Sequence, residues 1–141
     1  MDSTIDNSFD AAFFLYAFGA IPGSKDRLLA LRKIKDCLAK NSPPYMDVLN
    51  IDDKNEWGLK IKNEFDRVEL GKYGYKLGDI LYSKIGETKL AYWHYFSKQE
   101  FEDLLNQAGF KKINIQYIAY ETFPGKIVSS NEGAIFIEAF I

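Results

Sequence analysis

After a polar start, the chain runs apolar almost without a break over residues 9–17 (FDAAFFLYA). The run is too short for a typical helix and rich in aromatics, so it predicts a strand buried on both faces, as in the middle of a parallel sheet. The next segment, FGAIPGSKD, carries two glycines and a proline and ends near Ser24, a suitable N-cap, with Asp26 where the helix dipole favours an acid. A helix over 25–39 follows. Its apolar positions Leu28, Leu31, Ile34 and Leu38 recur at three- and four-residue spacing, while Arg27, Arg32, Lys33, Lys35 and Asp36 fall elsewhere. That pattern predicts one buried stripe and a solvated basic face. Residues 41–44 read as a turn and 45–50 (YMDVLN) as a second short strand, and strand, helix, strand in this order implies a right-handed parallel crossover.

Over 56–89 the periodicity weakens, and Gly58, Gly71, Gly74, Gly78 and Gly86 punctuate short alternating pieces such as DRVEL and DILYSKI. Antiparallel ribbons, or a cover over a site, are expected there. The pattern sharpens again at Ser97, where S-K-Q-E reads as a capping box: Ser97 caps the N–H of Glu100 and Glu100 reaches back. Phe101, Leu104, Leu105 and Ala108 form the stripe of the helix that follows, and Gly109 suits its left-handed end. Residues 112–121 (KINIQYIAYE) and 133–141 (GAIFIEAFI) alternate like strands, and the loop of about ten residues between them predicts an antiparallel hairpin. The whole, 1–141, reads as a single domain with an insertion or cover at about 58–95.

Composition narrows the function classes. The 141 residues are 47% hydrophobic and 16% aromatic, which is globular, and a net charge of −2 supplies no field that would draw nucleic acid or anionic lipid. One cysteine, Cys37, and one histidine, His94, are too few for a disulfide or a structural zinc site, so no metal is expected. The N-terminal MDSTIDNSFD lacks the basic and apolar regions of a signal peptide, and no apolar run approaches a membrane span. A soluble, cytoplasmic protein is expected. Cys37, near the helix stripe, reads as a small buried hydrophobe, and KYGYK at 72–76 is a weak aromatic-basic signal for an acidic or nucleic-acid ligand.

Three local sequences, in order, resemble the second half of the class I S-adenosylmethionine-dependent methyltransferase domain. FDAAFFLYAFGAIPG followed by DRLLALRKIKDCLAKN is similar to that family's fourth strand, cofactor-side loop and next helix; YMDVLNIDDKNEWG to its fifth strand and following loop; YFSKQEFEDLLNQAGFKKINIQYIAYE to its last helix and sixth strand. The resemblance implies an α/β, Rossmann-like sheet of parallel strands closed by a C-terminal antiparallel hairpin. It also implies an incomplete one, because the glycine-rich turn after the first strand and the ribose-binding acid after the second have no counterpart before Phe9. Met1 and Asp2 fall near the family's adenine-contacting acid.

The resemblance further implies that Leu15, Tyr16, Ala17 and Phe18, at the end of the fourth strand, line the pocket of S-adenosylmethionine, since parallel sheets bind ligands at the carboxyl ends of their strands. Tyr16 and Phe18 are equally open to a core reading; Phe13 and Phe14 read as core. Loops after the strands would build the substrate side: Asp52, Asp53, Asn55, Glu56 and Trp57, with Tyr92, His94 and Tyr95 of the YWHYF cluster. Each has a bland alternative, as solvated turn, packed histidine or edge-covering aromatic. No catalytic residue is assigned, because methyl transfer needs little beyond alignment of a nucleophile with the methyl carbon.

Two functions are expected to compete, with a third behind them. The first is methyl transfer to a small-molecule or RNA nucleophile, the chain working with a separate N-terminal half and holding cofactor poorly alone. The second is a non-catalytic, methyltransferase-like remnant whose exposed sheet is covered by a partner or by homodimerisation. The third is a small binding protein using an aromatic pocket for an unrelated ligand.

Overall fold

The computed structural model describes residues 9–141 apart from positions 68, 84, 85, 87 and 122, and the backbone alone at 65–67. The parts of DRVEL and DILYSKI at those positions, and Met1 and Asp2, lie outside the described residues.

Strand β1 is Ala12–Phe14, helix α1 Ser24–Cys37 and strand β2 Pro44–Val48; β1 and β2 are parallel, with Phe13 beside Tyr45. Helix α3 is Lys98–Ala108, and β5 (Lys112–Ile118) and β6 (Ala134–Phe140) form the expected antiparallel hairpin. β6 inserts between β5 and β2, so the four-stranded sheet runs β1-β2-β6-β5. In β2 and β6 the period of two sends Met46, Val48, Ile135 and Ile137 to a face covered by α1 and α3, where Phe18, Leu31, Phe96, Phe101 and Leu105 complete the core. α3 forms as its sequence dictates: Ser97 Oγ accepts the Glu100 N–H at 3.2 Å, and Gly109 (φ 97°) ends it in the left-handed region. The other half of the capping box is not used, because the Glu100 carboxylate turns to His94 instead.

Three expectations are corrected. The run 9–17 is not a strand buried on both faces: β1 holds three residues at a sheet edge, and Phe13 is 70% exposed on a face that no described helix covers. Helix α1 starts one residue earlier, behind Gly23 rather than Ser24, and the basic face is not uniform, since Arg27 is 2% exposed. The insertion contains a helix as well as a ribbon: α2 (Gly58–Arg67) precedes β3 (Asp79–Ser83) and β4 (Leu90–His94), which pair antiparallel as a separate two-stranded sheet.

The loop that leads into α2 is ordered by one carboxylate. The buried carboxylate of Asp53 accepts the backbone N–H groups of Asn55, Glu56 and Trp57 at 2.8–3.0 Å, and that of Gly133 before β6 at 3.1 Å. One side chain thus orders the approach to the helix and ties it to the start of β6. No helix among the described residues is long and apolar enough to cross a membrane.

Candidate functional site

A cavity of about 450 Å³ lies where the chain leaves β1, β2 and β5, roofed by α2 and the β3–β4 ribbon. The pleat explains its walls. With Ile80 opposite Trp93 and Asp79 opposite His94, Ile80, Tyr82 and Trp93 face the cavity, while Asp79, Tyr92 and His94 point to the ribbon's other side. Trp57 and Ile61 come from the start of α2, Tyr16 from the end of β1, and Tyr120 and Glu121 from the end of β5. The lining is mostly aromatic and apolar, as small-molecule sites are.

Asp47 on β2 organises one wall. Its Oδ1 accepts the Tyr16 N–H, and its Oδ2 accepts the Tyr120 hydroxyl. Tyr16 is held there at φ 50°, in the left-handed region where a non-glycine residue needs outside support, and its ring meets those of Trp93 and Tyr120 at 5.4 and 5.6 Å. Glu56 accepts the Tyr120 and Glu121 N–H groups, and the Trp57 indole N–H donates to Glu121 at 2.7 Å, so the α2 loop and the end of β5 are stitched together at the mouth. Gly19 lets the turn after β1 lie against Trp93, whose Nε1 would be only 2.3 Å from an added Cβ.

Burial pushes the Tyr95 hydroxyl up to about 12, helped by Tyr16, Glu121 and Asp53. Tyr120 is pushed up further, by burial first and then by its bond to Asp47. Both remain protonated at neutral pH and serve as hydrogen-bond donors, not bases.

On the ribbon's opposite side sits a separate buried cluster. Arg27 Nε donates to the Ile21 carbonyl at 2.9 Å and its Nη2 to the Tyr92 hydroxyl, while the guanidinium stands 3.7 and 3.8 Å from Asp79 and Glu100 and 5.0 Å above the Phe96 ring. His94 has an Asp79 oxygen 2.6 Å from Nδ1 and a Glu100 oxygen 3.0 Å from Nε2. Burial alone would raise the Asp79 carboxyl; bonds from Tyr92, the Lys76 N–H and His94 outweigh it and hold the group below its usual 3.8. The cluster pins the ribbon to α1 and α3. Among the described residues no group of His, Cys, Asp and Glu side chains is arranged to hold a metal ion.

Of the residues expected to contact cofactor, Tyr16 lines the cavity, Leu15 is 48% exposed beside it, Ala17 leads into a short 3-10 turn, and Phe18 is core, stacked on Phe96 at 5.6 Å. Of those expected to contact substrate, Trp57 and Tyr95 line the cavity. Asp52 lies outside it, paired with Lys62 at 2.7 Å, and Tyr92 and His94 belong to the buried cluster. In the KYGYK segment Lys72 pairs with Glu69 at 2.7 Å. Sequence reasoning missed Asp47, Tyr120 and Glu121; the only local signal was that an acid and a tyrosine interrupt otherwise apolar strands.

Leu15 and Tyr16 offer one exposed apolar wall at the end of a parallel strand, which fits part of an S-adenosylmethionine site. The described residues from Phe9 to β1 contribute no glycine-rich turn, so the fit is to one wall of such a cleft.

No family model and no curated protein matches the sequence. Solved structures do match the fold. An S-adenosylmethionine-dependent methyltransferase from Methanosarcina mazei superposes with a TM-score of 0.67 at 19% identity, covering 100% of this chain and 63% of that one. One from Thermotoga maritima, described as a possible histamine N-methyltransferase, gives 0.61 at 18%, covering 96% and 56%. An S-adenosylmethionine-dependent methyltransferase from Clostridium acetobutylicum gives 0.57 at 12%, covering 94% and 58%. The chain is thus similar to structures of which it spans less than two thirds. Its architecture is Rossmann-like α/β, with parallel and antiparallel strands in one sheet. More particularly, it has the fold of part of a class I S-adenosylmethionine-dependent methyltransferase domain.

Proposed function

We propose that the protein takes part in S-adenosylmethionine-dependent methyl transfer to a small-molecule or RNA nucleophile, contributing the acceptor side of the site and one wall of the cofactor cleft. The observation that carries this reading is the aromatic cavity opening beside Tyr16, at the carboxyl ends of parallel strands, in a fold shared with methyltransferases. The cofactor supplies an electrophilic methyl group when bound. The chain's own residues orient the acceptor: aromatic rings fix its plane, the Tyr95 hydroxyl donates a hydrogen bond, and the α2 roof limits water.

A second reading is favoured by a different observation. The sheet face carrying Phe13, Tyr45 and Phe136, stacked at 5.1 and 6.4 Å, has no described helix over it. A methyltransferase-like chain acting only as an interaction or dimerisation domain would use that surface.

Calorimetric titration with S-adenosylmethionine and S-adenosylhomocysteine separates the two. The first reading expects weak, saturable binding that Tyr16→Ala lowers about fivefold, the worth of one aromatic contact. Silence up to millimolar ligand from a folded chain would overturn the cofactor wall and leave the interaction reading. Full methyl-transfer activity from the isolated chain would overturn the assignment of only one cofactor wall to it.

A further inference from the structure

The charges around the cavity are one-sided. Glu121 lines its mouth, none of the described lining residues is Lys or Arg, and the nearest carboxylates behind the walls are Asp47, Asp53 and Glu56. The cation recorded at its edge is Lys60, whose Nζ lies 4.5 Å over the Trp57 ring. Two indoles and four phenol rings contribute to the lining, and their faces carry negative potential. After burial, Glu121 and Asp53 push the Tyr95 hydroxyl upward, and Asp47 and Glu56 do the same to Tyr120. An anionic ligand would meet no cation within the lining and only Lys60 at the edge, already engaged over the Trp57 ring, whereas a cation meets ring faces and a carboxylate whose Oε1 is already oriented by the Trp57 N–H.

We propose that the cavity accepts a flat, apolar molecule bearing a basic amine, the ring system packed against the contacting Trp93 and Tyr16 rings and the ammonium group directed to Glu121. The assignment of this amine as the methyl acceptor rests on the methyl-transfer reading; the selectivity of the cavity does not. An amine acceptor would approach as the ammonium ion and lose a proton to solvent before its lone pair attacks the methyl carbon, so that a neutral sulfide leaves as the N–C bond forms.

The chain has two tryptophans, Trp57 and Trp93, and both line the cavity, so their two indole N–H signals in a ¹H–¹⁵N spectrum report occupancy directly. Phenethylamine, 2-phenylethanol and 3-phenylpropionate serve as cationic, neutral and anionic probes of one shape. The expected result is saturable movement of both signals by phenethylamine, with affinity about fivefold above the neutral probe, consistent with an exposed cation–π and carboxylate contact. The anion should move neither signal, and Glu121→Gln should remove most of the amine's advantage while leaving the backbone spectrum unchanged. Equal or tighter binding of the neutral or anionic probe would overturn the inference. So would displacement of phenethylamine by S-adenosylmethionine but not by S-adenosylhomocysteine, because the sulfonium, not an acceptor amine, would then own the space. Failure of the amine with intact S-adenosylhomocysteine binding would sink the acceptor class alone; amine selectivity with no cofactor binding would sink methyl transfer and keep the amine site.

Discussion

Arg27 carries the largest residue-scale consequence. It sits one position from the apolar stripe of α1, yet its side chain is 2% exposed and neutralised by Asp79 and Glu100. A buried ion loses more from the removal of its partners than it gained from the pair, because the remaining charges stay desolvated. Arg27→Met should therefore lower the unfolding free energy by about 3–5 kcal/mol in urea denaturation, with the slope unchanged. A loss under about 1 kcal/mol, the worth of a surface pair, would show that water reaches the cluster. Gly19 is the second such position. Its missing Cβ leaves room for Trp93, whose indole N–H is buried without an acceptor and is held by packing. Gly19→Ala should displace the ring, alter the near-ultraviolet circular dichroism and cost about 1–3 kcal/mol, the usual effect of overpacking.

At the scale of elements, the β3–β4 ribbon is fastened by charge on one side and lines the cavity with aromatics on the other. The fastening titrates. Because the Asp79 carboxyl is held below its usual 3.8, its contribution is fully present above that value and is lost as pH falls through the lowered one. Acid titration followed by aromatic circular dichroism should show the ribbon loosening below about pH 4, and Asp79→Asn should remove that component. An acid transition identical in Asp79→Asn would assign it to other carboxylates. The loop leading into α2 depends on Asp53 in a comparable way, since that carboxylate accepts the N–H groups of the three residues before the helix.

At the largest scale, the sheet of the described residues ends at β1 on one side and β5 on the other, and its second face exposes a Phe13–Tyr45–Phe136 ladder beside the polar Asn114–Glu138 pair. An edge strand with a neighbouring apolar patch is a pairing surface. Light scattering after size-exclusion chromatography should show concentration-dependent association, and Phe13→Glu, at a position 70% exposed, should abolish it without loss of folding. A monomer at all concentrations would count against self-association as the cover for this face.

The amino-acid pattern alone determined the elements whose signals are local: α1 from its stripe, α3 from Ser97 and Gly109, and the β5–β6 hairpin from alternation. Tyr16, named by the resemblance, and Trp57 and Tyr95, named from the loops after the strands, line one cavity. What the pattern left to tertiary structure are features set by distant partners. Asp53 ties the loop before α2 to Gly133, Arg27 is buried because Asp79 and Glu100 arrive from other elements, and Phe13 is exposed because only one sheet face is covered by described helices. The cavity itself arises where ends of β1, β2 and β5 meet a ribbon far along the chain. Sequence periodicity encodes which face a side chain takes within its own element; which neighbour meets that face is settled only when the elements pack.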